Sequence, residues 1–174
     1  MYLETGRIII RNFTSNDLND LYDIFSDTET MRFIEPPYSM DRTRSFLEAF
    51  CIHRDPPGAY AAVECSSGKV IGYILFKPLD DPEIYEMGWI FNRAYWGKGY
   101  AFESCSAVIK YGFNTLNLHK ICAETVDPIK SLNLMKKLGM KLEGIIRQQS
   151  KQTVNTWQDI YWAGIIRTLS LIHI

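Results

Sequence analysis

Two glycines one residue apart, in Trp96-Gly97-Lys98-Gly99-Tyr100-Ala101, are the residues of this chain best placed to do chemistry. They stand between a strand-like apolar run, Tyr85 to Phe91, and a helix-like run, Ala101 to Leu116. A strand, a glycine turn and a helix start in that order make an anion site. The first N–H groups of a helix have no intrahelical acceptor, and the helix dipole favours negative charge there. Glycine at 97 and 99 lets the backbone approach a ligand closely and take a positive φ. The chemistry implied is the holding of a phosphate-bearing cofactor.

Other cofactor and nucleophile chemistries find less in the sequence. There is no GxxxxGK[ST] phosphate loop, and the dinucleotide pattern GxGxxG stops after Gly97-Lys98-Gly99, because Tyr100-Ala101-Phe102 follows. The four cysteines, Cys51, Cys65, Cys105 and Cys122, form no CxxC pair and no cysteine–histidine cluster with metal-ligand spacing, so no metal is expected. Cys105 and Cys122 sit in apolar patterns and read as small core residues. His53, His119 and His173 are far apart, and His119 in Asn117-Leu118-His119-Lys120 reads as a helix-to-strand turn.

The elements that must position the glycine turn follow from periodicity. Arg7 to Phe13 is isoleucine-rich and predicts a strand. Thr14 and Asp17 stand at capping distance ahead of Leu18, Leu21, Tyr22 and Phe25, which have helical spacing. After Pro36-Pro37, Ser39 caps a second helix from Met40 to about His53, with Thr43, Phe46, Leu47 and Phe50 on one face. Ala59 to Cys65 and Lys69 to Phe76 form a hairpin through Ser66-Ser67-Gly68. Tyr85 to Phe91 is the next strand. The helix from Ala101 is expected to bury Phe102, Cys105, Ile109, Gly112, Phe113 and Leu116. Lys120 to Val126 predicts a strand, and Ile129 to Leu138 a helix ended by Gly139. Two strands follow, Met140 to Ile146 and Gln158 to Ile166, with a polar loop from Arg147 to Trp157 between them. The order β-α-α-β-β-β-α-β-α-β-β mixes hairpins with crossovers. It gives an α/β (α+β) class, with one mixed sheet of about seven strands and about four helices.

A length of 174 residues favours one domain, and 47% hydrophobic residues exclude disorder. No apolar run is long enough to span a bilayer, and Met-Tyr-Leu-Glu-Thr-Gly-Arg is no secretory leader, so a cytoplasmic, membrane-free location is expected. A net charge of −1 argues against a nucleic-acid binder. The charge is unevenly spread. Residues 1–41 hold eight acids against three bases, whereas residues 93–151 hold ten bases against four acids. That pattern suits a polyphosphate on one side and a cationic partner on the other.

The stretch from Gly88 to Glu103, through Trp89-Ile90-Phe91-Asn92-Arg93-Ala94-Tyr95-Trp96-Gly97-Lys98-Gly99-Tyr100-Ala101-Phe102, resembles the acetyl-CoA signature of the GNAT acyltransferase superfamily, Q/R-x-x-G-x-G/A. Trp96 stands where Gln or Arg often does, Gly99 is the first glycine and Ala101 takes the last position. The Trp-Gly-Lys-Gly-Tyr-Ala form is similar to the branch that acetylates protein N-terminal amines, including ribosomal-protein alanine termini. Ser131 to Met140 and Trp157 to Tyr161 resemble two further family segments, and the order of elements agrees over about residues 7–166.

The resemblance implies an acetyl-CoA-dependent N-acetyltransferase that works by direct attack in a ternary complex, as a monomer or homodimer. Backbone amides of Trp96, Gly97, Lys98, Gly99, Tyr100, Ala101 and Phe102 would hold the pyrophosphate. The main chain of Trp89, Ile90 and Phe91 would meet the pantetheine arm, and Lys136 and Lys137 would either form a solvated helix face, the reading their setting favours, or reach toward the adenine-side phosphate. Acetyl transfer needs a base for the amine, a donor for the oxyanion and a proton for the thiolate. Glu86 takes the base position; Tyr85, Met87 and Trp89 around it would raise its pKa by desolvation. Many relatives carry a tyrosine where this chain has Met135, and an asparagine where it has Pro128, so the tyrosine-acid mechanism does not carry over. The resembled branch implies instead that a serine at the position of Ser131 serves near the sulfur, and Ser131 also suits a helix N-cap. The acceptor would lie against the segments Asp27 to Tyr38 and Arg147 to Trp157. Phe33, Tyr38 and Trp157 would form an apolar wall, and Asp27, Glu29 or Glu35 would attract an ammonium. A protein or peptide N-terminus is the first acceptor, and a polyamine or amino-sugar the second. A non-catalytic acyl-CoA sensor is the rival of another class.

Overall fold

In the computed structural model the described residues are 1–153 and 156–167. His173 and the rest of the tail from 168 lie outside them, as do positions 154 and 155 of the expected loop. The chain divides into two compact units. One is Met1–Lys77 with Gly88–Val108, and the other is Pro78–Met87 with the residues from Ile109 onward.

The first unit opens on β1 (Tyr2–Glu4), a short edge strand that the sequence reading did not anticipate, antiparallel to β2 (Ile8–Asn12). Ile8 and Ile10 alternate into the core, the period-2 pattern of a strand with one buried face. The Thr14–Asp17 capping box forms. α1 (Leu18–Phe25), the single turn α2 (Thr28–Met31) and α3 (Met40–Phe46) follow. Ser39 Oγ accepts the Arg42 N–H at the start of α3, and the helix widens into a π turn over Leu47–Ile52. β3 (Ala59–Glu64) and β4 (Val70–Pro78) make the expected hairpin, with Gly68 at φ 70°. Phe25 sits amid the unit's apolar cluster, edge-on to Tyr38, Phe46 and Tyr73. The second half of β5 (Ile84–Phe91) and the first half of α4 (Tyr100–Asn114) complete this unit.

In the second unit the first half of β5 pairs in parallel with β6 (Lys120–Thr125). A parallel step needs a crossover, and α4 supplies the helix within it. β6 pairs antiparallel with β8 (Thr156–Ile166), which pairs antiparallel with β7 (Lys141–Thr153). α5 (Lys130–Lys137) packs on β6. Gly139, at φ 83°, ends it as expected: the Gly139 N–H donates to Lys136 O and the Met140 N–H to Met135 O, a Schellman closure. The strand order is β1-β2-β3-β4-β5 in the first unit and β5-β6-β8-β7 in the second. The mixed α/β class stands, with eight strands and five α-helices among the described residues.

Two expectations need correction. α4 buries Ser104, Cys105, Val108, Ile109 and Phe113, while Phe102 is 44% and Leu116 38% exposed. Phe102 shares the helical face of Cys105, Ile109 and Phe113 but stands in the first turn, and Leu116 follows the end of α4 at Asn114, so neither is covered as the middle of the helix is. The expected loop from Arg147 to Trp157 is largely strand, a long ribbon in which Ser150 pairs with Gln158 and Lys151 with Trp157. A two-stranded ribbon wet on both faces carries no apolar alternation, so periodicity could not mark it.

Candidate active site

The glycine turn is built on left-handed backbone. Gly97 and Gly99 hold φ 72° and 83°, a region that an L side chain enters only under strain. A Cβ at Gly97 would meet nothing within 4 Å, so the turn is open there. Its entry is pinned from the preceding strand: Trp96 Nε1 donates to Phe91 O at 2.7 Å, and Asn92 Oδ1 accepts the Ala94 N–H at 3.0 Å. Its exit is held by Tyr100, whose hydroxyl donates to Glu64 Oε1 at 2.6 Å and whose ring meets Tyr95 edge-on. The hydrogen bond from Tyr100 holds the Glu64 carboxyl below its ordinary pKa and raises that of Tyr100 in turn. Lys98 is exposed, with Nζ over the Tyr95 ring. Ala101 is half-buried and Phe102 exposed at the start of α4.

Three residues to which the sequence reading gave no role at the turn complete this region. Arg7 Nη1 donates to Lys98 O at 3.0 Å, and Arg7 Nε donates to Glu103 Oε2 at 2.8 Å. Thr5 Oγ1 donates to Glu103 Oε1 at 2.6 Å. Burial works to raise the Glu103 pKa, but the bonds from Thr5 and Arg7 outweigh it and leave the carboxyl below its ordinary value. Glu103 was visible as an acid in the first turn of a helix; nothing in the spacing tied it to Arg7.

On β5, Trp89 and Ile90 are half-buried and Phe91 is buried, and Ile90 packs on the aromatic cluster. A Cβ at Gly72 would stand 2.5 Å from the Phe91 ring, so glycine there makes room for it. In the second unit Glu86 is half-buried and opposite Cys122 in the β5–β6 register. Burial pushes the Cys122 thiol up to about 11, so it is no nucleophile at neutral pH. Ser131 is half-buried in the first turn of α5. It does not cap the helix. Asp127 does: Oδ1 accepts the N–H groups of Ile129 and Lys130 at 2.9 and 3.1 Å, and Oδ2 that of Ser131 at 3.3 Å. Met135 is buried, whereas Lys136 and Lys137 are exposed.

The acceptor candidates differ in setting. Phe33 is 38% exposed under the guanidinium of Arg32, whereas Tyr38 is buried against Phe25 and donates to Glu35 Oε2 at 3.2 Å. Burial and the Glu35 charge raise the Tyr38 pKa. Trp157 is 51% exposed on the ribbon, beneath Lys151. Each of the three nearby acids already has an arginine: Asp27 with Arg93 and Glu29 with Arg32, both at 3.6 Å, and Glu35 with Arg42. Asp27 Oδ1 also accepts the Thr30 N–H at 2.7 Å as the cap of α2, which holds its pKa down.

Residues 7–141 match the family model described as Acetyltransferase (GNAT) domain. The chain is 32% identical over 166 residues to the uncharacterised N-acetyltransferase YnaD of Bacillus subtilis, covering 94% of this chain and 96% of that one. Its structure is similar to the crystal structure of a GNAT-family acetyltransferase from Bacillus anthracis, with TM-score 0.87 and 29% identity over 97% of this chain and 99% of the other. Two Vibrio enzymes share the fold. One is spermidine N-acetyltransferase from Vibrio cholerae in complex with CoA and spermine, TM-score 0.82 at 21% identity over 96% and 99%. The other is ribosomal-protein-S5-alanine acetyltransferase from Vibrio fischeri, TM-score 0.80 at 20% identity over 96% and 97%.

Proposed function

The chain belongs to the acetyltransferase (GNAT) family and is an acetyl-CoA-dependent N-acetyltransferase, and from that premise we propose its acceptor and the residues that act on it. Acetyl-CoA supplies an activated acetyl group as a thioester. The turn suits its pyrophosphate, because two left-handed glycines, open at Gly97, precede the N-terminus of the fifteen-residue α4. In this proposal the backbone amides from Gly97 to Phe102 hold the pyrophosphate, with Trp96 pinning the turn and Lys98 adding charge. The main chain of Trp89, Ile90 and Phe91 faces the pantetheine arm. Glu86 takes a proton from the acceptor ammonium, directly or through water, so that the neutral amine attacks the thioester carbonyl. As the C–S bond breaks, the Ser131 hydroxyl gives the departing sulfur a proton or hydrogen bond. The whole chain acts as one acetyltransferase domain.

The acceptor we propose is a protein or peptide N-terminal amine. The observation that carries it is the Trp96 to Ala101 turn, whose residues are similar to those of the N-terminal-amine branch. A second observation weighs against a polyamine. Several separated ammonium groups need several unpaired carboxylates, and Asp27, Glu29 and Glu35 each have an arginine within ion-pair distance. A single α-amine next to an apolar side chain asks less of that surface, and Phe33 and Ile34 are exposed there. A cytoplasmic location is part of the proposal, supported by four free cysteines, one of them exposed.

Thiol release from acetyl-CoA tests it, with alanine- and serine-initiated peptides, spermidine and glucosamine as acceptors. Release is expected with the peptides. Release with spermidine alone would move the acceptor to polyamines. CoA binding without release from any amine would favour the sensor reading.

A further inference from the structure

We infer that Arg7 is the positioning residue of the pyrophosphate turn: it aims a backbone N–H of the turn at the anion and pairs with the Glu103 carboxylate in the first turn of α4, which would otherwise repel it. The inference rests on the acetyl-CoA reading of that turn and extends it to a side chain 91 residues earlier than Lys98.

The first support is peptide geometry. In a trans peptide the C=O and N–H point in opposite directions. Arg7 Nη1 holds Lys98 O at 3.0 Å, so the N–H of Gly99 in the same peptide plane is turned the other way. Gly99 at φ 83° has a soft backbone, and without that bond the plane would rotate readily. The guanidinium lies against the turn on two sides, 4.4 Å from the Tyr100 ring centroid and 3.5 Å from where a Cβ of Gly99 would be.

The second support is electrostatic. Glu103 stands in the first turn of α4, where a carboxylate stabilises the helix but opposes a bound phosphate. Arg7 meets Glu103 Oε2 through Nε at 2.8 Å and Nη2 at 2.6 Å, and its own backbone N–H donates to Oε1 at 2.9 Å. Thr5 Oγ1 adds a bond to the same Oε1. Both carboxylate oxygens are thereby turned toward the segment before β2. The planar guanidinium grips the carboxylate through Nε and Nη2 and the carbonyl through Nη1 in one fixed geometry. A lysine ammonium brings the same charge without that geometry.

The test is an amide NMR titration of CoA and of pantetheine, which lacks every phosphate, into the full chain and its Arg7→Met, Arg7→Lys and Glu103→Gln variants. Arg7→Met is expected to weaken CoA binding roughly tenfold, the scale of one charge-assisted hydrogen bond. Pantetheine binding should stay unchanged. Arg7→Lys should recover little of the loss, and the Gly99 amide should lose its CoA-dependent shift in both. An equal loss for CoA and pantetheine would reduce Arg7 to general scaffolding, and full recovery with lysine would make it a point charge; either overturns the inference. Should Arg7→Met not fold, Arg7→Lys and Glu103→Gln carry the same comparison, and CoA affinity unchanged in both would also overturn it. If the native chain binds no CoA, the reading of the turn itself fails, before any variant is compared.

Discussion

Glu86 is the residue on which the proposed chemistry turns. It is half-buried, its strand neighbour Met87 is buried on the opposite face, and it lies opposite Cys122 across the β5–β6 pair. A carboxylate set there can accept a proton from an amine brought to it, whereas the buried thiol beside it stays protonated. Glu86→Gln keeps the shape and removes the base, so kcat is expected to fall roughly a hundredfold, the lower end for a general base. CoA affinity, which depends on the backbone of the turn, should hold. Steady-state rates across pH check this, and equal rates in the two proteins at every pH would take Glu86 out of the mechanism. The glycines of the turn were legible at this scale because φ near 72° and 83° selects one residue type. Arg7 was not legible, because an arginine at the start of a strand has no local signature. Its partners, Lys98 and Glu103, come to it only through the fold.

At the scale of elements, α5 separates the capping residue from the one proposed to act beside the sulfur. From sequence, Ser131 fitted two roles, capping the helix and serving near the sulfur. The structure gives the cap to Asp127, which takes three backbone N–H groups. Asp127→Ala is therefore expected to lower stability by about 1 kcal/mol, the usual loss of a cap. Ser131→Ala should leave the melting temperature unchanged and lower turnover. Thermal melts and rates on the two variants check the pair, and a Ser131→Ala protein with native turnover would free Ser131 from catalysis. Asp127 has no role in the sequence reading; that it is the cap is seen only in its carboxylate reaching past Pro128 to the N–H groups of Ile129, Lys130 and Ser131. The ribbon of β7 and β8 was hidden for another reason. Its strands are held by cross-strand backbone bonds, and Arg147 to Lys151 present no alternating buried face for periodicity to read.

For the molecule as a whole, acid stability follows from the carboxylates whose pKa the fold lowers, Asp17 and Glu103 together with Asp27 and Glu64. Burial works to raise the Asp17 pKa, but the bidentate bonds from Arg11 at 2.7 and 2.8 Å and the N–H of Thr14 outweigh it, and the value ends below its ordinary range. Glu103 ends low through Thr5 and Arg7. When the folded pKa is the lower one, the unfolded chain takes up protons first as pH falls. The stabilisation is then complete above the unfolded carboxylate pKa, about 4, and is lost as pH drops through the folded value. Melting temperature is expected to fall below about pH 4. The gap between the native chain and Asp17→Asn should be widest near neutrality and narrow in acid; a gap constant with pH would remove Asp17 from the account. At this scale the sequence by itself determined the mixed class, nearly all the elements and the donor turn. Those depend on period, capping and glycine φ, which act between residues close in the chain. Only the tertiary structure decided what secures the turn, which residue caps α5 and that the acids around Phe33 are already paired. Each of those is a contact whose partners the chain order does not name, because a charge or a carbonyl finds its partner by distance in space.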